Sequence, residues 1–148
     1  MRLVTPLTDA ERVGFIASAR NLVGVPFRHR GRSRRGIDCV GEVALALSAV
    51  GRTAEDRRSY GRNPANDGLR EVCEAHFGAP VRDMQAGDVP LFAWWDDTRN
   101  RDPNHVGILF DHPNGGLALV HALAQNKRVI AHRLDDFALA RIVAVYRP

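Results

Sequence analysis

The first half of the chain carries apolar residues at helical spacing, interrupted by glycines and charged loops. Thr8 and Glu11 stand three residues apart, as in a capping box, where each side chain bonds the backbone N–H of the other residue. The apolar residues that follow recur every three to four positions until about Val23, and Gly24 comes directly afterwards. The pattern therefore predicts a first helix that begins at the capping box and ends before Gly24.

A second apolar stretch, residues 39–50, is almost uncharged and is followed by Gly51, a residue typical of helix C-termini. Asp38 precedes it and is a favourable N-cap residue, so we expect Cys39 in the first turn of a helix. The partial positive charge of a helix N-terminus favours an anion, and the thiolate is the nucleophilic form of cysteine. The sequence thus predicts a Cys39 thiol with a lowered pKa. The alternative is a buried cysteine that serves only as a small hydrophobe.

A shorter third helix is predicted between a cap at Asn66 or Asp67 and a stop at Gly78. It carries Cys73 and His76, which are three residues apart and therefore lie on one face. These two could form a rival catalytic dyad, although a thiol in the middle of a helix lacks the field of a helix N-terminus.

The second half of the chain consists of short apolar and aromatic runs separated by turn residues, a pattern typical of strands. One helical turn is predicted at residues 135–140. Strands are predicted at residues 89–95, 105–112, 117–123, 128–134 and 142–146. Helices come first and strands follow without alternation, which predicts an α+β fold. We expect one domain over residues 1–148, with N-terminal helices packed on a central antiparallel sheet of about five strands.

Two histidines lie inside the apolar strands of a predicted hairpin, where an uncompensated polar ring would be costly. His105 opens the run HVGILF and His121 lies in LALVHAL, so antiparallel pairing could bring both rings onto one face. Taken singly, each could be a hydrogen-bonded core histidine. A cysteine nucleophile, however, needs a base and a third polar group that orients the base, so we predict one site formed with Cys39. We expect the remaining histidines outside the third helix to lie at the surface: His29, His112 and His132.

The composition is that of an ordinary globular domain, with 45% hydrophobic and 26% charged residues. The net charge of +4 comes almost entirely from arginine, since Lys127 is the only lysine. No apolar run is long enough to cross a bilayer, and the N-terminus lacks the apolar core of a signal peptide. We therefore expect synthesis in the cytoplasm without a signal peptide and no membrane insertion. Two widely separated cysteines predict neither a disulfide framework nor a CxxC metal pair.

Taken in order, these motifs resemble the NlpC/P60 peptidases, which are papain-like cysteine endopeptidases of bacterial cell-wall peptides. The resemblance extends from about Ala17 to the C-terminus. It rests on GVPF at residues 24–27, GIDCVGEV at residues 36–43, GD at residues 87–88, HVGI at residues 105–108 and VHA at residues 120–122. The resemblance implies that Cys39 is the nucleophile, His105 the general base and His121 the residue that orients the base. It implies no cofactor.

The family resemblance also implies a reaction and a set of binding residues. The reaction is hydrolysis of an amide in a peptidoglycan stem peptide, typically between D-Glu and a diamino acid. Asp38 and Phe27 are expected near the oxyanion site, although the family commonly has tyrosine at the position of Phe27. Arg28 and Arg35 belong to an arginine-rich loop and could bind a substrate carboxylate bidentately, although such loops are usually solvated.

The short form of the chain and the loop RHRGRSRRGIDC most resemble the phage and prophage branch of the family, which is encoded among tail genes. This resemblance implies peptidoglycan stem peptides as substrate, phage tail proteins as partners, and action at the cell wall. A structural tail component with weak or lost peptidase activity is one alternative, since Val40 replaces the usual serine after the nucleophile. An acyl or amide hydrolase of the same fold is another.

Two further alternatives concern metals and nucleic acids. Cys39, His105 and His121 could ligate zinc, but no metal motif with recognisable spacing accompanies them. The arginine-rich loop could bind nucleic acid, but few aromatic residues interleave with it and no known nucleic-acid motif is present. We therefore expect no metal and no specific nucleic acid.

Overall fold

The computed structural model of the chain describes residues 5–53, 68–95 and 103–148. The first helix, α1, spans Asp9–Asn21 and begins at the predicted capping box. Thr8 Oγ1 accepts the Glu11 N–H at 3.1 Å, and the Glu11 carboxylate accepts the Thr8 N–H at 2.9 Å. The other helices are α2 at Cys39–Ala49, α3 at Leu69–Phe77 and α4 at Asp136–Arg141. The cap predicted for α3 at residues 66–67 lies outside the described residues.

The strands of the described segments form one short hairpin and two antiparallel sheets of three strands each. Their bounds are β1 Arg32–Ser33, β2 Gly36–Ile37, β3 Val89–Phe92, β4 His105–Val106, β5 Ile108–Asp111, β6 Leu117–Leu123, β7 Arg128–Arg133 and β8 Ile142–Tyr146. The sheets have the strand orders β4-β3-β8 and β5-β6-β7, and the hairpin pairs β1 with β2. The predicted α+β class is therefore confirmed. The single run predicted at residues 105–112 is wrong, because it divides into two strands that belong to different sheets.

Gly107 is the residue at which this run divides. A Cβ atom at Gly107 would lie 2.6 Å from Leu119 Cδ1 and 3.1 Å from both His121 Cβ and the Val120 carbonyl oxygen, so β6 leaves little room for a side chain here. The chain therefore changes partner at this glycine, from β3 on one side to β6 on the other. As a result His105 and His121, which belong to different sheets, lie next to each other.

The core lies between the helices and the two sheets. α2 packs against α1 and contacts both β4 and β6, so its buried face meets the strands that carry the two histidines. A second, smaller apolar cluster on the other side of the sheets includes Phe92, Trp94, Leu109, Leu119 and Leu123. No helix of the described segments combines the length and the apolar character that crossing a membrane would require.

The GD motif fixes the start of β3. Asp88 is fully buried and accepts two hydrogen bonds from Arg147, at 2.8 Å from Nε and 2.9 Å from Nη2. It also accepts the Gln85 N–H at 2.9 Å, which closes the turn before β3. The motif thus joins the C-terminus to the first strand of the β4-β3-β8 sheet.

Candidate active site

Asp38 holds the beginning of α2 in place. Its Oδ1 accepts the Gly41 N–H at 2.9 Å, as predicted for an N-cap, and also bonds Arg32 Nη1 at 3.0 Å. Its Oδ2 accepts the Arg30 N–H at 2.9 Å. The Arg32 and Asp38 side chains are each only 5% exposed, so this is a buried ion pair. Asp38 therefore anchors the arginine-rich loop to the helix that carries Cys39.

The same loop crosses directly over the first turn of α2. A Cβ atom at Gly41 would collide with the carbonyl oxygen of Gly31, so only glycine fits two residues after Cys39. This close approach explains why glycine stands at position 41, two residues after Cys39.

Cys39 is the first residue of α2 and is buried, with 6% exposure. Burial raises the pKa of the Cys39 thiol to about 12, and the charge of Asp38 raises it further, whereas hydrogen bonding from the Val106 backbone N–H favours the thiolate. The predicted lowering of the Cys39 pKa is therefore wrong in this structure, because the cost of desolvating a thiolate exceeds the effect of the helix N-terminus. The raised pKa favours the protonated thiol, so any reaction that used this sulfur as a nucleophile would require a base.

Three histidines, His105, His121 and His132, form a continuous chain of hydrogen bonds that we call the histidine chain. His105 Nε2 lies 2.8 Å from His121 Nδ1, and His121 Nε2 lies 2.8 Å from His132 Nε2. The chain ends at the carbonyl oxygen of Arg133, 2.6 Å from His132 Nδ1. The structure thus brings together the two histidines predicted to share a face and adds a third.

The expected surface position of His132 is wrong, because its ring is half-buried against His121. Strand pairing places His121 opposite Ile130 and Leu119 opposite His132, so the two histidines are diagonal neighbours on one face of the hairpin. Once the β6–β7 turn is located, counting residues outwards along both strands predicts that His121 and His132 are diagonal neighbours.

The first two rings of the histidine chain are neutral. Burial lowers the pKa of His105 to about 3. Burial, followed by the neighbouring His105 and His132, lowers the pKa of His121 to about 2. A neutral imidazole carries one nitrogen lone pair that can accept a proton.

Two tryptophans enclose the His105–His121 pair. The Trp94 ring lies 5.2 Å from the His105 ring and 5.0 Å from the His121 ring, measured between centroids. Trp95 stacks on His105 at 6.1 Å with an interplanar angle of 19°. Both follow β3, whose end is held by a hydrogen bond from the Trp94 N–H to Asn104 Oδ1 at 2.8 Å. The aromatic rings replace water around the hydrogen bond between the two histidines.

The other predicted binding residues lie on the loop before α2. Phe27 is half-buried and its N–H donates to the Lys127 carbonyl at 2.8 Å. The exposed Arg28 lies along Gly36, and the exposed Arg35 follows the tip of the β1–β2 turn, where its N–H donates to Ser33 Oγ at 3.2 Å. Their roles in binding substrate stay predictions.

Cys73 and His76, the rival dyad, are both buried on α3. They line a small apolar cavity of about 50 Å³ that neither Cys39 nor His105 lines, although their chain neighbours Val40 and Val106 do. Burial raises the pKa of the Cys73 thiol to about 12, and Glu74 adds to this effect. Since the thiol lies within the helix, the field of a helix N-terminus does not offset this cost.

The part of the chain that the structure describes contains no group of three or more His, Cys, Asp or Glu residues arranged to hold a metal ion. The imidazole nitrogens that join His105, His121 and His132 are directed at one another instead.

The sequence model of the NlpC/P60 family matches residues 24–147, which is most of the chain and includes Cys39 and the whole histidine chain. The chain belongs to the NlpC/P60 family. No curated protein sequence matches it significantly.

Solved NlpC/P60 structures share the fold. A Staphylococcus aureus protein described as similar to lipoprotein, of the NLP/P60 family, has a TM-score of 0.67 and 17% identity over 99% of this chain and 44% of its own. A Bacillus cereus NlpC/P60 protein has a TM-score of 0.66 and 18% identity, with coverages of 97% and 41%. The NlpC/p60 domain of the peptidoglycan hydrolase SagA has a TM-score of 0.58 and 22% identity, with coverages of 93% and 98%. This chain thus spans less than half the length of the first two proteins.

Gly107, in the HVGI motif of this NlpC/P60 domain, provides a first test. We expect Gly107→Ala to lower the free energy of unfolding by about 2 kcal/mol, because the new methyl group would collide with the Leu119 side chain and crowd the Val120 carbonyl oxygen of β6. The resulting displacement of β6 should also separate His121 from His105. Urea denaturation followed by circular dichroism measures the loss of stability. Substrate turnover per folded molecule measures the effect of separating the two histidines. Wild-type stability of this variant would contradict the close approach of β6.

Glu42 lies one turn after Cys39 and is completely buried. Neither of its carboxylate oxygens has a hydrogen-bond partner among the described residues, and burial raises its pKa well above the ordinary value. The folded protein therefore holds this carboxyl group in its neutral form, and an unsatisfied buried polar group of this kind reduces stability.

We expect Glu42→Leu to raise the free energy of unfolding by about 2 kcal/mol at pH 8, since leucine of similar size has no unsatisfied polar atoms. The pKa of Glu42 is higher in the folded than in the unfolded chain, so the wild type loses stability as the pH rises above about 4.5. The gain should therefore be larger at pH 8 than at pH 4. Urea denaturation at pH 4 and at pH 8 measures the gain in the free energy of unfolding. Glu71→Leu, which changes an exposed glutamate, is the control. A gain independent of pH would contradict a neutral buried Glu42.

Proposed function

We propose that this NlpC/P60 domain is a cysteine endopeptidase that hydrolyses amide bonds of peptidoglycan stem peptides, of the type between D-Glu and a diamino acid. One observation carries the proposal: α2, which begins at Cys39, packs against both β4 and β6, and the Val106 backbone that lowers the pKa of the Cys39 thiol belongs to the residue after His105, whose ring is bonded to His121. The residues that we propose as nucleophile, base and orienting residue therefore lie on neighbouring elements, and this supports the proposal.

The reaction begins with the neutral thiol. Cys39 Sγ attacks the amide carbonyl carbon while His105 takes the thiol proton, and the charge on the carbonyl oxygen is stabilised by N–H groups at the start of α2. His105 then gives its proton to the leaving amine, the C–N bond breaks, and a thioester to Cys39 remains. Water attacks the thioester as His105 takes its proton, and the returned proton restores the thiol.

The substrate class rests on the family and on its solved members. SagA, whose NlpC/p60 domain shares this fold over 93% of the chain, is described as a peptidoglycan hydrolase. The arginine-rich loop supports the same class, because the stem peptide carries carboxylates that Arg28 or Arg35 would bind. Association with a phage-like tail would bring the domain to the cell wall, and this part of the proposal rests on the sequence resemblance alone.

Digestion of purified muropeptides, with products identified by mass spectrometry, tests the proposed function. The wild type should release fragments cut after D-Glu, and Cys39→Ala should release none. Cleavage that persists in Cys39→Ala would overturn the proposal. If neither protein cuts muropeptides but the wild type hydrolyses an acyl ester, the domain is an acyl hydrolase.

A further inference from the structure

The histidine chain contains one more ring than a nucleophile, a base and an orienting residue need. His132 comes from β7, and its side chain is 31% exposed, whereas His105 and His121 are buried. It contacts His121 on the side away from His105. Its position therefore allows it to act on the base only through His121.

When His132 is neutral, the carbonyl oxygen of Arg133 fixes the direction of every hydrogen bond in the chain. A carbonyl oxygen only accepts, so the 2.6 Å contact requires that His132 Nδ1 carries a hydrogen. The carboxylate of Asp135, 4.0 Å from the same nitrogen, favours a donor there as well. In neutral His132, Nε2 is then without a hydrogen and must accept.

The remaining assignments follow in order. His121 Nε2 must donate to His132 Nε2, so His121 Nδ1 carries no hydrogen and accepts from His105 Nε2. His105 Nδ1 is consequently the nitrogen with a free electron pair. If the bonds ran in the opposite direction, Nδ1 of His105 would carry a hydrogen and could not take the proton of the Cys39 thiol.

We propose that His132 is a positioning residue that keeps His105 in the tautomer able to act as a base. Its action passes from the Arg133 carbonyl through His132 and His121 to His105, and it touches neither the substrate nor the nucleophile. The reason His105 must be a base rests on the proposed function, whereas the tautomers themselves are properties of the protein alone.

Two substitutions separate this role from simple packing. Leucine at position 132 fills part of the space but accepts no hydrogen bond, whereas the Oε1 atom of glutamine can accept from His121 Nε2. We expect His132→Leu to lower kcat on muropeptides by about 10-fold or more with little change in KM, by analogy with outer residues that orient ligating histidines. His132→Gln should recover most of this loss. His112→Leu, at the separate β5–β6 turn, should leave kcat unchanged.

Nitrogen NMR of the ¹⁵N-histidine-labelled protein tests the inference without any substrate. Two-bond ¹H–¹⁵N spectra identify which nitrogen of each ring carries the hydrogen. We expect hydrogens on Nε2 of His105 and His121 and on Nδ1 of His132, with His121 becoming a mixture of tautomers in His132→Leu. A hydrogen on Nδ1 of His121 in the wild type would overturn the proposal, as would equal kcat for the leucine and glutamine variants. Correct tautomers in a protein that fails to cut muropeptides would instead count against the proposed function.

Discussion

His105→Gln is expected to lower kcat/KM on muropeptides by about 10³-fold, because glutamine cannot take the proton of the Cys39 thiol. The pKa of that thiol is raised to about 12, so few molecules would hold a thiolate without the base. Glutamine can still donate a hydrogen bond to His121 Nδ1, so the fold should be retained. Steady-state kinetics of the purified variant measure the loss.

The control for this substitution is His112→Gln, which changes a histidine whose ring accepts the local Asn114 N–H at 3.0 Å, in the β5–β6 turn. Its kcat/KM should equal that of the wild type. If His105→Gln retained wild-type activity while Cys39→Ala lost it, a group other than His105 would have to deprotonate the nucleophile.

Asp38→Ala is expected to lower the free energy of unfolding by about 4 kcal/mol. The substitution removes the N-cap of α2 and leaves the buried Arg32 guanidinium without its carboxylate, and breaking a buried ion pair is costly. The Arg30 N–H also loses its acceptor. Since domains are stable by only about 5–15 kcal/mol, this variant should be close to unfolding at 37 °C. Thermal and urea denaturation measure the effect.

Thr8→Ala is the matched control, because Thr8 caps α1 at the surface without an ion pair. It should cost about 1 kcal/mol, the usual value for a cap. Equal losses in the two variants would mean that the Arg32–Asp38 pair adds nothing to the cap. A double variant, Arg32→Met with Asp38→Ala, should recover part of the stability, since it leaves no buried charge unpaired.

The local signals in the sequence were sufficient for the starts of α1 and α2. The capping box of Thr8 and Glu11 and the cap at Asp38 gave correct helix starts, because caps depend on residues only three positions apart. The apolar runs also located most strands of the second half, although His105 and His121 were predicted on the two strands of one hairpin and lie instead on β4 and β6 of different sheets. Family motifs then added the roles of these residues.

Three features were beyond local patterns because they depend on tertiary contacts. The run HVGILF divides at Gly107 only because β6 passes close to its backbone. The pKa of Cys39 is raised rather than lowered, because the core that covers the start of α2 excludes water. The position of His132 depends on the register of β7 against β6. That register follows from the exact position of the turn between the two strands, which the local sequence pattern did not give.

Alkylation by iodoacetamide tests most directly the central claim that His105 activates Cys39. Cys73 is an internal control, because both thiols are buried, with 6% and 4% exposure, and burial raises both pKa values to about 12. Peptide mass spectrometry over time gives the two rates in one sample. Cys39 should react much faster than Cys73 at pH 7, and its rate should fall to that of Cys73 in His105→Gln. Equal rates in the wild type, or a Cys39 rate unchanged by His105→Gln, would contradict the assignment of Cys39 as an activated nucleophile.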